Sequence, residues 1–293
     1  MITFDEAGQR IESALLRLYE PDELRSIVRE LLSEATRLSR TQLLLAHKDT
    51  LLSSEAEGTL TRCLDRMREG MPLQYAVGHA PFMGREFEVS PAVLIPRPET
   101  EELVELVLSR EKATVTLLHL LDVGTGSGCL AVTLARMLPA EVWAMDVSSE
   151  ALAVAGRNVA EGARITLVEA DVLVPDARWD LLPPVDVIVS NPPYIMPSEG
   201  AAMASHVLDY EPSLALFAPE ADPLLFYRAI ADMAESGKLR PGGRLYVELN
   251  ARLAEETCAL FRARSSWHGV ELHKDLSGKN RFLSAQYLTS AAI

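Results

Sequence analysis

Val115-Thr116-Leu117-Leu118-His119-Leu120-Leu121 runs straight into Asp122-Val123-Gly124-Thr125-Gly126-Ser127-Gly128, and a helical stretch follows from Cys129 to Met137. The apolar run reads as a buried strand. The glycines then allow a tight turn and a close approach of a ligand to the backbone. Their spacing, Gly-x-Gly-x-Gly, is not the Gly-x-Gly-x-x-Gly of dinucleotide binding, and the loop lacks the Gly-Lys-Ser/Thr of a phosphate loop. The fold class depends on whether this strand, turn and helix repeat along the chain.

The pattern does repeat downstream. Glu141-Val142-Trp143-Ala144-Met145-Asp146 is a second strand, and Ser148 to Val159 a helix with Ala151, Leu152, Ala155 and Val159 inward. Ile165-Thr166-Leu167-Val168-Glu169 is a third strand ending at Ala170-Asp171-Val172, and Val185-Asp186-Val187-Ile188-Val189 reads as a fourth, buried one. A helix from about Asp222 to Ser236, a strand at Gly242–Glu248 and a helix from Ala251 to Arg264 continue the alternation. Val270–His273 and Arg281–Ala285 close the chain as two strands around the polar turn Lys274–Lys279. This order predicts an α/β fold, a doubly wound and mostly parallel Rossmann-like sheet with helices on both faces.

Upstream the texture is helical. Thr3-Phe4-Asp5-Glu6 fits a capping box before Ala7, Ile11, Leu15 and Leu18 at helical spacing. Leu24, Ile27, Val28, Leu31, Leu32 and Ala35 form an apolar stripe after Pro21, and a last helix buries Ala56, Leu60, Cys63, Leu64 and Met67. Gly84-Arg85-Glu86-Phe87-Glu88-Val89 suits a β-hairpin. The expected domains are therefore a small all-helical one at 1–72, a hairpin linker at 73–98 and the α/β domain at 99–293. Pro98 sits where a first helical turn tolerates proline, with acidic residues after it to suit the helix N-terminus.

Candidate chemistry gathers at strand ends. After Val185–Val189 come Ser190-Asn191-Pro192-Pro193-Tyr194, where paired prolines end the sheet abruptly and stiffen a loop at a carboxyl end. The Asn191 side chain and the Pro192 carbonyl both accept hydrogen bonds from one NH2 group, and Tyr194 offers a flat face to a planar group. Asp146 lies at an offset from the glycine loop that suits a carboxylate accepting from ribose hydroxyls. Asp171 is placed to accept from an adenine amino group, with Val172 packing on the ring. With Asp122 ahead of the loop to face a cationic amino-acid end, this is the arrangement expected for S-adenosylmethionine. Asp209-Tyr210-Glu211-Pro212-Ser213 reads as a polar turn in a long loop placed to cover the site. Arg97, between two prolines, has little backbone freedom and suits either a salt bridge or a ligand contact.

The chain's 293 residues carry a formal net charge of −14. A nucleic-acid binder usually shows a basic face, so that balance weighs against a polyanionic partner. Cys63, Cys129 and Cys258 have no CxxC pairing and no disulfide framework. The six histidines show no metal-ligand spacing, and no Ser-His-Asp arrangement is visible. No signal peptide or membrane-spanning run is recognisable, so a cytoplasmic location is expected.

Taken together, Asp122–Gly128, Asn191–Tyr194 and Leu94-Ile95-Pro96-Arg97-Pro98-Glu99-Thr100-Glu101 resemble the bacterial peptide-chain release factor glutamine methyltransferases. The Asn-Pro-Pro-Tyr element alone is shared with adenine-N6 DNA and some RNA guanine methyltransferases, and a nucleic-acid amino methyltransferase is the alternative reading. The resemblance implies a class I fold binding S-adenosylmethionine across Gly124, Thr125, Gly126, Ser127, Gly128, Asp146 and Asp171-Val172. It implies that Asn191, Pro192, Pro193 and Tyr194, with Arg97 near them, hold a glutamine of a Gly-Gly-Gln motif in a class 1 release factor. An aromatic stands at the position of Val172 in many members, so an aliphatic contact to adenine is expected here.

Overall fold

The structure, a computed structural model, describes residues 1–114, 116–176 and 178–289. The chain forms two compact units, one of Met1–His79 with Ala204–Tyr210, the other of Ala80–Met203 with Glu211 onward.

The first unit is helical: α1 (Phe4–Leu15), α2 (Pro21–Thr36), α3 (Arg40–Leu45), α4 (Ser54–Arg68) and α5 (Leu73–Val77). The expected capping box is present at α1, where Glu6 N donates to Thr3 Oγ1 at 3.2 Å and Thr3 N to Glu6 Oε2 at 2.7 Å. Reciprocal bonding satisfies donors that the helix start leaves unpaired. Ala7, Ile11, Leu15, Leu24, Ile27, Leu31, Leu60, Leu64 and Met67 interlock as the core of this unit. The helical part runs past residue 72 to the end of α5, and a later segment returns to it. In that segment the Tyr210 hydroxyl donates to the Glu69 carbonyl at 2.6 Å.

In the second unit, β1 (His79–Phe82, whose first residue belongs to the helical unit) and β2 (Arg85–Glu88) pair as the expected hairpin, and α6 (Pro98–Glu111) follows. Then come β3 (Leu118–Val123), α7 (Cys129–Met137), β4 (Ala140–Asp146), α8 (Ser149–Asn158), β5 (Ile165–Glu169) and β6 (Val185–Ser190). Short helices α9 (Ser205–Tyr210, part of the helical unit) and α10 (Ser213–Leu216) lead to α11 (Leu225–Met233) and β7 (Leu239–Glu248). The chain ends with α12 (Ala254–Arg262), β8 (Trp267–Lys274) and β9 (Asn280–Tyr287). The seven-stranded sheet has the order β5-β4-β3-β6-β7-β9-β8. β9 pairs antiparallel with both neighbours, whereas the other pairings are parallel.

Both faces of the sheet are covered. Leu121, Val123, Ile188 and Leu245 pack with Tyr227, Ile230 and Phe261 on one side. Leu120, Val142, Val187 and Val189 pack with Leu103, Val104, Leu130 and the hairpin's Phe82 and Phe87 on the other. Neighbouring residues of one strand thus enter opposite cores, which is why the central strands read as unbroken apolar runs.

Element bounds differ from the sequence expectation in places. β3 begins at Leu118 and continues to Val123, and Val115 lies outside the described residues. β7 begins at Leu239, before its glycines, and its register against β6 shifts between Val185 and Val187. The long loop before α11 contains a 3₁₀ turn at Pro197–Ala202 as well as α9 and α10.

Candidate functional site

The chain starts the sheet at β3, steps outward to β4 and β5, then crosses to β6 on β3's other side. That reversal opens a crevice beyond the carboxyl ends of the strands, where open α/β sheets bind ligands. A cavity of about 350 Å³ lies there, within the volume range of small-molecule sites. Its wall includes Gly124–Ser127 after β3, Asp146 at the end of β4, Asp171 and Val172 after β5, and Asn191–Pro193 after β6. Val93, Leu94, Leu130, Leu214, Phe226 and Ile230 add apolar surface.

The glycine loop is held from below. Gly124 N and Thr125 N donate to the Met145 carbonyl at 2.8 and 2.9 Å. Gly126, at φ +55°, donates its N–H to Asp146 Oδ2 at 2.9 Å, and a Cβ there would stand in open space. Gly128 caps α7 at φ +79°, and a Cβ on it would meet that of Ala155 at 3.2 Å. Asn158 donates to the Ser127 carbonyl at 2.9 Å and exchanges bonds with Glu88, tying the hairpin to the loop.

Asp146 accepts from Gly126 N and, at 2.9 Å, from Ser148 N, and burial raises its pKa against those bonds. Asp171 Oδ1 accepts from Leu173 N at 2.8 Å, and the Asp171 carbonyl accepts from the Trp179 indole at 2.9 Å. Both carboxylates keep acceptor capacity on the cavity wall. Asp122 is placed differently from the expectation. Because β3 extends to Val123, the pleat turns the Asp122 side chain away from the face of Leu121 and Val123. Its Oδ2 accepts from Thr125 Oγ1 at 2.7 Å and Ala131 N at 3.2 Å, while Oδ1 has no partner. Burial pushes its pKa up to about 7. Asp122 therefore braces the loop against α7 from inside and lies off the cavity wall.

The Asn-Pro-Pro-Tyr segment is joined to two residues that the sequence reading did not single out. Asn191 Nδ2 donates to Thr100 Oγ1 at 3.1 Å, and Thr100 Oγ1 donates to Glu248 Oε2 at 2.8 Å. The Tyr194 hydroxyl donates to Glu248 Oε1, also at 2.8 Å. Among the described residues, neither Asn191 Oδ1 nor the Pro192 carbonyl accepts a protein hydrogen bond. Thr100 sits in the first turn of α6, and Glu248 ends β7 beside β6. Burial raises the Glu248 pKa, opposed by the bonds from Tyr194 and Thr100 and by the charge of Arg281. An acid at a strand's carboxyl end was a usable signal for Glu248, as it was for Asp146. Tyr194, expected to offer its ring, is not part of the cavity wall, and burial lifts its hydroxyl pKa. Asn250 Nδ2 fixes the same segment by donating to the Tyr194 carbonyl at 3.0 Å.

Arg97 is on the wall, and its guanidinium pairs with the buried Glu211, which also accepts from Ile95 N at 3.3 Å. The polar turn around Glu211 is thus an anchor for the segment before α6. Among the described residues no group of His, Cys, Asp and Glu is placed to hold a metal, and no helix is long and apolar enough to cross a membrane.

The sheet order and the crevice define a class I methyltransferase. The family model described as a methyltransferase domain matches residues 120–208, and the hMettl16 catalytic domain superposes with a TM-score of 0.52, at 19% identity over 80% of this chain and 81% of that one. At that identity the likeness shows the fold alone. The chain belongs to the release factor glutamine methyltransferase family. A member from Bacteroides thetaiotaomicron is 40% identical over 94% of this chain and 97% of its own length. Another, from Chlorobaculum tepidum, is 43% identical over 90% of each. The PrmC N-terminal domain model matches residues 6–78. The methyl donor of this class is S-adenosylmethionine, and the wall fits it. A glycine loop leaves room where a Cβ would stand, and carboxylates with spare acceptor capacity follow β4 and β5.

Proposed function

We propose that the chain transfers the methyl group of S-adenosylmethionine to the side-chain amide nitrogen, N5, of the glutamine in the Gly-Gly-Gln motif of class 1 release factors. One observation carries the reading: two free acceptors, Asn191 Oδ1 and the Pro192 carbonyl, border the crevice, with the Asn191 amide nitrogen already engaged by Thr100.

An amide nitrogen is a poor nucleophile because its lone pair is delocalised into the carbonyl. Asn191 and Pro192 accept one hydrogen bond each from the glutamine NH2 and turn its lone pair toward the methyl carbon. As the C–N bond forms and the S–CH3 bond breaks, the nitrogen gains positive charge that the same acceptors stabilise more than they stabilise the ground state. One of its two protons then passes to water. The cofactor, when bound, supplies a methyl group on a sulfonium whose neutralisation drives the transfer. Gly124–Gly128 hold its amino-acid end, Asp146 its ribose and Asp171 with Val172 its adenine, with Asp122 acting through the loop. Pro193 and Arg97, the latter steadied by Glu211, contact the peptide around the glutamine, and Tyr194 stiffens the clamp through Glu248.

The helical domain docks the release factor, and the enzyme works in the cytoplasm without stable binding to nucleic acid. The formal charge of −14 supports that choice over an amino methyltransferase of DNA or RNA. The test is label transfer from S-adenosylmethionine to a purified release factor and to its Gly-Gly-Gln variant with alanine for glutamine. Label on the first and none on the second is expected; equal labelling of both would refute the acceptor assignment.

A further inference from the structure

An asparagine amide has two ends of nearly equal size, one accepting hydrogen bonds and the other donating them. Only the oxygen end can receive the NH2 of an amide substrate, so the enzyme must fix which end faces the crevice. The bond made by the other end does this. Thr100 Oγ1 carries a single proton and gives it to Glu248 Oε2 at 2.8 Å, so it meets Asn191 Nδ2 at 3.1 Å with lone pairs only. The second carboxylate oxygen takes the Tyr194 proton at 2.8 Å, leaving Glu248 an acceptor on both sides. Thr100 is 3% and Glu248 1% exposed, which shields this chain of bonds from exchange with solvent. Burial raises the Glu248 pKa, and the bonds donated by Tyr194 and Thr100 and the charge of Arg281 oppose that shift.

We infer that Glu248, acting through Thr100, sets the direction of a hydrogen-bond chain that holds Asn191 with its oxygen toward the crevice. It is thus a positioning residue that selects an NH2-bearing acceptor. This rests on the function proposed above. Glu248 itself is off the cavity wall, so its effect reaches the substrate through Thr100 and, by the bond from the Tyr194 hydroxyl, through the segment that carries Asn191. An amide in its place can donate to Thr100, whose proton then turns to Asn191 and draws the Asn191 oxygen away from the crevice. The substrate NH2 would then face another NH2.

The experiment compares wild type with Thr100→Ser, Thr100→Val and Glu248→Gln, reading kcat and KM for the release factor, S-adenosylmethionine affinity by calorimetry, and melting temperature. Thr100→Val and Glu248→Gln are expected to lower kcat by up to about a hundredfold with cofactor affinity unchanged, the scale of misplacing a reacting group by about 1 Å. Thr100→Ser keeps the hydroxyl and should stay within about threefold of wild type. Should Glu248→Gln fail to fold, the serine and valine variants decide alone, because valine preserves the shape of threonine. Equal kcat for those two would overturn the inference and leave the proposed function standing. Failure of the wild type to label the release factor would overturn both.

Discussion

Asn191 and Asp122 are both polar residues at the ends of central strands, yet their surroundings give them opposite duties. Asn191 keeps a free oxygen on the crevice wall, so truncating it removes an acceptor that orients the amide nitrogen and binds it more strongly as it becomes cationic. Asn191→Ala should lower kcat by about 10²–10³, with cofactor affinity close to wild type. Parallel loss of cofactor binding in titration calorimetry would show that the assigned role is wrong. Asp122 is internal, and burial raises its pKa to about 7 from about 3.9 in the unfolded chain. Between about pH 4 and 7 the folded state retains a proton that the unfolded state has lost, so this group makes stability fall as pH rises. Asp122→Asn should flatten that slope in urea unfolding curves measured from about pH 5 to 7. An unchanged slope would mean that the carboxyl is ionised throughout. The sequence made Asn191 legible because its prolines announce a loop at a strand end. It misplaced the Asp122 side chain because β3 ends at Val123, two residues later than expected, so Asp122 lies within the pleat and not in the loop. Thr100 and Glu248 were unreadable as a pair, since nothing local joins residues brought together by the packing of α6 against β7.

Among the elements, the turn from β3 into α7 is the most constrained. Gly128 has φ +79°, and its missing Cβ is where α8 comes closest. Gly128→Ala should cost about 1–3 kcal/mol in unfolding free energy, combining backbone strain with displacement of Ala155. It should also weaken cofactor binding by moving the loop. Wild-type stability in urea titration would contradict the fit of α7 against α8. Strand identity was legible from apolar runs, and the capping box named the start of α1. Strand ends and the short helices before α11 were harder. β7 starts ahead of a Pro-Gly-Gly that looks like a break, and α9 and α10 are too short to show periodicity. Ile188 shows what a central strand contributes: it is fully buried between β3 and β7, and Ile188→Ala should cost about 2–5 kcal/mol in denaturant unfolding. A loss below about 1 kcal/mol would mean that the core collapses around the cavity.

For the molecule as a whole, the alternation of strands and helices made the parallel sheet legible, and its reversal at β3 located the crevice. The membership of Ala204–Tyr210 in the helical unit was not legible, because those residues are distant in sequence from the helices they join. A formal charge of −14 bears on the choice of acceptor, since it weighs against the basic face from which counterion release drives binding to a polyanion. The measurement that tests the account most directly offers labelled S-adenosylmethionine to wild-type enzyme in a mixture of release factor, duplex DNA and ribosomal RNA, at low and at high salt. The account predicts label on the release factor glutamine at both salt concentrations, undiminished by either nucleic acid. Label on DNA or RNA, strongest at low salt, would contradict it and show that Asn191 and Pro192 hold a base.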